Sequence, residues 1–367
     1  MPLKLFKRNG TFYVRGTAAG GAKVYRSSQT GDAAQAEIYR SKVEAEMWER
    51  HIYGEKAVVT FADAAASYVT ARAPSDAERM YVKRLVEHFR TTKLKDVDQA
   101  AVDRAYGAIL KPDAAPATRA RGVLSPLCAI LNHAARRGWC DRPLFEKPEL
   151  PRGKTRFLLP AEASRFEEAC SEHLRPLVRF LLCTGARLSE ALELTWPAVD
   201  LHEARAMFWI TKGGKPRAAA LPPAAVVTLA NLPGVREGHV FRRPDGEPYA
   251  SKERLEGGQI KTAFRTACRR AGFGEWVVRG GEKVFVPDLT PHCLRHTWAT
   301  WFYALSKDPF LLRDEGGWAT VKMVERYAHL MGSEHAAGIA AIWGPTHPRI
   351  GELPMHGATR VAKIEKL

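Results

Sequence analysis

A proline-dense segment before the middle of the chain limits how the rest of it can fold. Residues 141–154 are rich in residues that break regular structure, namely Pro143, Pro148, Pro151 and Gly153. Proline fixes φ and lacks a backbone N–H, so this density resists both helix and strand. The chain of 367 residues is also longer than one compact core usually supports. The segment is therefore predicted to link separately folded parts.

The charge of the chain points to its class of partner. A formal net charge of +16 and a pI near 9.7 favour a polyanion, with nucleic acid as the leading candidate. A basic protein whose charge serves only solubility is the alternative. The sequence has no apolar run near the ~20 residues of a membrane span, and its first residues lack the apolar core of a signal peptide. We expect a cytoplasmic protein with no membrane partner.

The cysteines are scattered without short paired spacings, which argues against a zinc cluster and against a disulfide framework. They are Cys128, Cys140, Cys170, Cys183, Cys268 and Cys293. We expect reduced thiols, no metal site and no cofactor.

Residues 1–55 predict a small basic sheet against one helix. Alternating runs at Thr11–Arg15 and Lys23–Ser27 flank a glycine-rich turn, and a helical pattern continues to about Arg50. Basic and aromatic residues interleave on the runs, so DNA contact and simple packing both stay open. The candidate DNA-binding residues here are Lys7, Arg8, Arg15 and Arg26.

Residues 58–150 are alanine-rich and have helical periodicity, which predicts a helical bundle. The expected helices lie near Phe61–Ala71, Ala77–Phe89, Ala100–Leu110 and Ala117–Arg137. Basic residues recur on them, either to line a phosphate backbone or only to solvate the bundle. The candidate DNA-binding residues of this region are Arg79, Lys83, Arg119 and Arg121.

Two segments after the linker place arginine and lysine at the start of a predicted helix and on a predicted hairpin. Arg187 and Glu190 lie three residues apart at the start of a predicted helix, where they share a face. An arginine there can present two donors to phosphate oxygens, although an ordinary ion pair is the alternative. A predicted hairpin (207–211 and 217–221) then carries Lys212, a candidate proton donor, and Arg217, a candidate DNA contact.

The next segment is a predicted helix that begins at Pro291. Its apolar residues form one stripe, so His292, Arg295 and His296 project elsewhere. The two histidines have metal-ligand spacing, but position 293 is Cys where a zinc-protease motif needs Glu, so metal binding is a minor alternative. We treat His296 as structural.

The last segment contains Trp318 and, nine residues later, Tyr327. A tyrosine beside a helix usually belongs to the core, so its partners must decide its role.

The order and spacing of these residues resemble the tyrosine recombinase/integrase family over roughly residues 155–331. The resemblance assigns the catalytic set to Arg187, Glu190, Lys212, His292, Arg295, Trp318 and Tyr327. Most relatives have histidine where this chain has Trp318, and the indole still donates one N–H. A predicted hairpin within Gly272–Pro287 lengthens the usual connection and has no assigned role.

The resemblance also implies an architecture that is multidomain and mainly α with small β elements. Residues 1–55 would be an arm-type DNA-binding module, 58–150 a helical core-binding (SAM-like) domain, 151–345 a mixed α+β catalytic domain and 346–367 a tail. The apolar residues Ile339, Ile342 and Trp343, together with the basic tail that follows them, are candidates for docking on a neighbouring protomer.

The implied function is site-specific DNA recombination without metal or ATP. Tyr327 would form a 3′-phosphotyrosyl link, Arg187 and Arg295 would neutralise the phosphate, His292 would act as base and Lys212 as acid. The implied partners are double-stranded attachment sites, a homotetramer on DNA, and accessory DNA-bending or directionality factors. The alternatives are a topoisomerase IB-like or telomere-resolving enzyme and a DNA-binding regulator without catalysis. A metal nuclease is weaker, because the domain lacks a carboxylate cluster.

Overall fold

The computed structural model describes residues 3–150, 155–209, 215–249 and 260–354. The chain forms two compact units, Met1–Arg152 and Gly153–Leu367, which divide at the end of the proline-dense segment. Both units combine helices with small antiparallel sheets. The expected fold class, mainly α with small β elements, is confirmed.

The first unit begins with a three-stranded antiparallel sheet of β1 (Lys4–Arg8), β2 (Thr11–Thr17) and β3 (Lys23–Ser27). Helix α1 (Ala33–Tyr53) packs against it, and Asp32 caps that helix by accepting from the Gln35 N–H. Val14 and Val24 of the sheet meet Val43 and Met47 of the helix in a small core. Strand β1 was not expected from the alternating runs.

The rest of the first unit is a helical bundle around a second core that includes Phe61, Leu85, Leu127 and Ile130. Thr60, Ser75 and Asp98 cap its first three helices with their side-chain oxygens. The helices are α2 (Phe61–Arg72), α3 (Asp76–Phe89), α4 (Gln99–Ile109), α5 (Pro116–Arg119) and α6 (Ser125–Ala135). A π-helical segment, Ala120–Leu124, joins the last two, so they correspond to the single fourth helix that was expected.

The second unit is a larger mixed domain. Its helices are α7 (Pro160–Ala169), α8 (Arg175–Thr184), α9 (Leu188–Leu192), α10 (Pro223–Ala230), α11 (Lys261–Arg270), α12 (Pro291–Ser306), α13 (Pro309–Gly316) and α14 (Ala336–Trp343). Its strands are β4 (Val199–Asp200), β5 (Arg205–Phe208), β6 (Arg217–Ala220), β7 (Gly274–Arg279), β8 (Glu282–Pro287), β9 (Thr346–His347) and β10 (Gly351–Glu352). Helix α12 runs through its core, packed on α8, α13 and α14.

The end of the described chain packs back on its own domain. Ile339, Ile342 and Trp343 of α14 are buried in the domain core, and the Trp343 indole donates to the Leu182 carbonyl over 2.9 Å. These three residues are therefore not available to dock on a neighbour, which corrects that expectation. Residues 355–367 of the tail lie outside the described ranges.

Two features are absent from the described ranges. Among their helices, none has the length and apolar character needed to cross a membrane. These ranges also hold no group of three or more His, Cys, Asp or Glu side chains placed to bind a metal ion.

Candidate active site

The corner between α8 and α9 positions the first arginine of the site. Helix α8 ends at Thr184, and the next residue, Gly185, has a φ of 58°; a Cβ on Gly185 would lie 2.1 Å from the Trp298 ring. Glycine is required there both by the left-handed conformation and by the close indole. The chain then turns so that Arg187 sits at the N-terminal boundary of α9.

Glu190 is a buried carboxylate that holds two arginines. Its Oε1 lies 2.6 Å from Arg187 Nη1, and its Oε2 accepts from the Arg187 N–H (2.9 Å) and from Arg217 Nη2 (2.8 Å). Burial alone would raise the pKa of Glu190, but the charge and hydrogen bond of Arg217, followed by two hydrogen bonds from Arg187, keep that pKa below its usual value. The carboxylate thus stays ionised and fixes both guanidinium groups. We call Arg187, Glu190 and Arg217 the Glu190 cluster.

Arg217 does not occupy the DNA-facing position that was expected. Its side chain is only 9% exposed. Besides its bond to Glu190, it donates to the Glu315 carbonyl over 2.9 Å, and its guanidinium lies 4.7 Å from the centre of the Phe208 ring. The expectation of a DNA contact is therefore corrected: β6 turns this arginine inward, where it ties α9 to α13.

Arg295, the second candidate arginine, is buried under an indole. It donates to the carbonyls of Gly185 (2.5 Å) and Gly316 (2.6 Å), and its guanidinium lies 4.3 Å from the centre of the Trp318 ring. Burial, followed by the charges of Arg217 and Arg187, lowers the pKa of Arg295 to about 9. The two carbonyls use two of five donors, which leaves the group suited to bind an anion.

Trp318 follows the Gly316-Gly317 end of α13. A Cβ on Gly316 would lie 1.8 Å from the indole, so the small residue is what lets the ring lie against the helix end. The indole stacks on Trp298 with centroids 6.2 Å apart and lies 5.7 Å from the Tyr327 ring. Trp318 thus lies between Arg295 and Tyr327.

Tyr327 ends a short 3₁₀ turn, Glu325–Tyr327, and is 2% exposed. Its hydroxyl lies 2.7 Å from Nδ1 of His296. Burial raises the pKa of Tyr327, against the opposing charges of Arg326 and Arg295, so the hydroxyl is a neutral phenol at neutral pH. A buried phenolic hydroxyl of this kind needs a hydrogen-bond partner, and His296 Nδ1 supplies one.

The ring of His296 on α12 contacts both the ring of His292, on the same helix, and the ring of Tyr327. His292 is exposed, and its ring meets the His296 ring edge-on with centroids 4.6 Å apart. The sequence interpretation treats His296 as structural, whereas the structure places it in contact with the candidate nucleophile. Its position four residues after His292, one turn along the same helix, is the signal that could have identified it.

The structure thus brings together Arg187, Glu190, Arg295, Trp318 and Tyr327, with His292 at the start of the helix that carries Arg295. Lys212 lies outside the described residues.

The candidate DNA-binding residues of the first sheet divide between its two faces. Phe6, Tyr13 and Tyr25 stack on the face away from α1, with centroids 5.5 to 5.8 Å apart. The strand register puts four exposed cations on that same face. We call the set the aromatic–basic face: Lys4, Phe6, Arg8, Tyr13, Arg15, Lys23 and Tyr25.

Lys7 and Arg26 belong to the opposite face. Arg26 is half-buried and forms an ion pair with Glu46 of α1 at 3.2 Å, while Lys7 lies over the Phe12 ring. The register therefore places these two away from the aromatic–basic face, unlike the uniform set that was expected. Lys4 was missed, although it precedes an Asn9-Gly10 turn that marks β1 as a strand.

The four bundle candidates are all at least partly exposed. Arg79 and Arg119 each donate through Nε to a backbone carbonyl, Lys83 lies 3.9 Å from Glu87, and Arg121 is on the π-helical segment. These positions leave their guanidinium or ammonium groups near solvent.

Comparisons with known proteins agree with this geometry. The model of the phage integrase family matches residues 156–334, and that of the phage integrase N-terminal domain matches residues 4–52. The chain is 30% identical to the integrase of Salmonella phage P22, over 95% of this chain and 97% of that protein. It is 29% identical to the tyrosine recombinase XerD of Corynebacterium glutamicum, over 48% of this chain and 53% of that protein.

Among solved structures, the Tn1549 transposon integrase in complex with transposon right end DNA is similar in fold. The match has a TM-score of 0.56 and 14% identity, and it covers 77% of this chain and 99% of that chain. The similarity to the P22 integrase extends over nearly the whole of both proteins. The chain therefore belongs to the phage integrase family and is a tyrosine-type site-specific recombinase.

Proposed function

We propose that this recombinase cleaves and rejoins DNA at attachment sites through a 3′-phosphotyrosyl bond to Tyr327, and that it integrates or excises a phage or genomic island. The observation that carries the proposal is the position of the Tyr327 hydroxyl. It lies 2.7 Å from His296 Nδ1, beside Trp318, which in turn covers the guanidinium of Arg295. The P22 relative, an integrase, supports the integration role.

The chemistry requires a nucleophile and the neutralisation of charge on phosphorus. The Tyr327 oxygen attacks the phosphorus as the bond to the 5′-oxygen breaks, and the phosphotyrosyl bond conserves the energy for rejoining. Arg187 and Arg295 donate to the non-bridging oxygens, where preorganised donors stabilise the developing charge. Glu190 acts by positioning Arg187, while Trp318 covers Arg295. No ATP is needed in this scheme.

The leaving 5′-oxygen requires a proton, and Lys212 is the proposed donor. It belongs to the connection between β5 and β6, whose second strand begins at Arg217 of the Glu190 cluster. An ammonium on a long flexible side chain suits delivery of a proton to a group that is not held by the protein. His292, exposed at the start of α12, is proposed to face the phosphate.

The nucleophile is tested by trapping the protein on a nicked half-site oligonucleotide taken from its attachment site. Wild-type protein should accumulate a covalent adduct that survives denaturing electrophoresis. Tyr327→Phe should form none while it still binds the DNA, because only the hydroxyl is removed. An adduct with the variant would show that another residue attacks, and it would overturn the proposal.

The acid is tested separately by changing the leaving group. Lys212→Ala should cleave normal DNA roughly 10²–10⁴-fold more slowly, the usual range for loss of a general acid. A substrate with a bridging 5′-sulfur should restore the rate, since a thiolate leaves without a proton. If sulfur gives no recovery, Lys212 does not protonate the leaving group.

Two further regions of the first unit are proposed to bind the DNA duplex. Residues 1–55 would act as the arm-binding module through the aromatic–basic face, whose cations have no partner carboxylate among the described residues. Residues 58–150 would act as the core-binding domain through Arg79, Lys83, Arg119 and Arg121. Residues 151–345 would form the catalytic domain, as the positions of its site residues support.

The proposed assembly is a homotetramer on two duplexes, because recombination exchanges four strands and each strand needs its own tyrosine. Accessory DNA-bending or directionality factors, and a cytoplasmic location with access to DNA, complete the proposal. When Tyr327→Phe is mixed with wild-type protein, the recombination rate should fall by a larger fraction than the variant's fraction of the total protein. A linear decrease would mean that protomers act independently.

A further inference from the structure

We propose that His296 receives the proton of Tyr327 when its hydroxyl attacks DNA, a role that rests on the proposed nucleophilic function of Tyr327. Nδ1 of His296 lies 2.7 Å from the Tyr327 oxygen. That distance is within the reach expected of a general base in its resting geometry. The resemblance on which the residue assignments rest gives the base to His292 and leaves His296 without a role.

The position of the His296 ring favours proton transfer from Tyr327 towards His292. His296 is half-buried, and its ring lies between the exposed His292, at 4.6 Å, and the buried Tyr327, at 5.8 Å between centroids. The two histidines are one helical turn apart on α12. A proton that leaves Tyr327 therefore meets His296 first, and His292 lies on the solvent side of that ring.

The charged and titratable groups around His296 keep its imidazole neutral. His292 and Arg295 face it from α12, and Tyr327 and Arg326 face it from the 3₁₀ turn. Burial, followed by the charges of His292, Arg326 and Arg295, lowers the pKa of His296 to about 4. At neutral pH the ring is thus free to accept from the phenol. An entering phosphate adds negative charge, which favours the protonated imidazole and raises its pKa at the moment of attack.

The transfer balances in both directions. In cleavage the Tyr327 O–H bond breaks, an N–H bond forms on Nδ1, the oxygen bonds to phosphorus, and the 5′-oxygen leaves with a proton from the acid. In rejoining, the 5′-hydroxyl returns its proton to the acid as its oxygen attacks phosphorus, and the tyrosine oxygen leaves, taking its own proton back from Nδ1. His296 is therefore unchanged after a full cycle.

The structural alternative is that His296 only satisfies the buried O–H and orients the ring of Tyr327. His296→Asn separates the two roles, because the Asn amide places a polar atom close to the position of Nδ1 but has no useful basicity. His296→Gln places its amide farther along the side chain. His202→Asn is the matched control, since this histidine side chain is 94% exposed.

The experiment measures single-turnover covalent adduct formation on the nicked half-site, with saturating protein, from pH 6.5 to 9.5. We expect His296→Asn to be slower at pH 7 by roughly 10²–10⁴-fold. The deficit should shrink by about tenfold per pH unit, because solution hydroxide then generates the phenolate that the variant cannot. A 5′-sulfur leaving group should not rescue His296→Asn, since it bypasses only the acid. His202→Asn should match the wild type.

Three results would overturn the inference. These are a wild-type rate for His296→Asn, a deficit that does not change with pH, and full rescue by the 5′-sulfur substrate. An adduct with Tyr327→Phe would instead overturn the proposed function, so the two failures are distinguishable. If Tyr327→Phe forms no adduct while His296→Asn keeps the wild-type rate, only the proposed role of His296 is overturned.

A measurement on wild-type protein covers the case in which the variants fail to fold. Nitrogen-15 NMR of the full chain, labelled at histidine, distinguishes a ring nitrogen that carries a proton from one that does not. We expect Nδ1 of His296 to be unprotonated at pH 7 and hydrogen-bonded by the phenol. A protonated Nδ1 would make His296 the donor and would exclude it as the acceptor.

Discussion

The Glu190 cluster and the aromatic–basic face use the same residue type in opposite ways. In the cluster, Arg217 and Arg187 donate to one buried carboxylate, and Arg217 also donates to a carbonyl. On the face, Arg8 and Arg15 are exposed, and no described carboxylate pairs with them. A net charge of +16 contains both kinds of arginine. Burial beside a carboxylate holds Arg217 in place, whereas exposure leaves Arg8 and Arg15 available for a polyanion.

The largest expected effect follows from breaking the cluster. Glu190→Ala leaves two guanidinium groups without their buried partner, which should cost about 3–5 kcal/mol of unfolding free energy. Urea unfolding followed by tryptophan fluorescence measures it, because Trp298, Trp301 and Trp343 lie in the core of that domain. Glu203→Ala, at a side chain that is 58% exposed, should cost about 0.5 kcal/mol or less. Equal losses would mean that the cluster contributes no more than a surface pair.

A smaller effect comes from one methyl group at the helix corner. Gly185→Ala would place a Cβ 2.1 Å from the Trp298 ring and force alanine into a left-handed backbone. Strain and overpacking together should cost about 2–4 kcal/mol. Gly280→Ala has a φ of 59° and nothing within 4 Å of its Cβ, so it isolates the backbone part. In thermal unfolding, Gly185→Ala should therefore have a clearly lower melting temperature than Gly280→Ala.

Acidification should lower the free energy of unfolding through the buried histidine His347. Burial, with the charge of Arg349, lowers the pKa of His347 to about 4, and its side chain lies among Phe302 and Trp343. The unfolded chain takes up this proton near pH 6.5 but the folded chain does not, so stability falls as the pH drops below 6.5. The loss should approach about 1.4 kcal/mol for each pH unit.

Urea midpoints at pH 7, 6 and 5 measure this dependence. His347→Gln should flatten it, although the variant is less stable at pH 7. The exposed His202→Gln should leave the slope as it is in the wild type. A slope that His347→Gln does not change would assign the acid sensitivity to other groups, such as His296.

The smallest effect is expected for a single cation of the aromatic–basic face. Arg15→Ala should weaken DNA binding modestly and reduce the slope of log affinity against log salt by about 1, as loss of one phosphate contact does. Arg26→Ala is the matched control, because Glu46 already pairs with that arginine. Fluorescence anisotropy at several salt concentrations measures both. If both variants change the slope equally, the assignment of the DNA-binding face is wrong.

The sequence predicts the fold class and the family better than the direction of individual side chains. Alanine-rich composition and helical periodicity predict the bundle, and motif spacing indicates the family. The Asn9-Gly10 turn, with both residues at positive φ, is a local signal for β1 that the alternating runs alone do not carry. Since a strand alternates sides, adding β1 and its register is what separates Arg8 and Arg15 from Lys7 and Arg26.

The contacts of the site depend on residues that are far apart in the chain. Arg217 reaches Glu190, 27 residues away, and the Glu315 carbonyl, 98 residues away. No local pattern distinguishes such an arginine from a surface cation on a hairpin. His296 is similar, because its partner Tyr327 is 31 residues away and lies on a different element. Spacing can suggest which residues matter, but only packing shows which atoms meet.

The two carbonyls that hold Arg295 have a consequence for synthesis and degradation of the enzyme. One comes from Gly185 at the end of α8 and the other from Gly316 at the end of α13. A nascent chain, or a fragment cut between these points, lacks one of them and cannot seat the guanidinium. On the proposed roles, such a molecule should neither nick DNA nor reseal it.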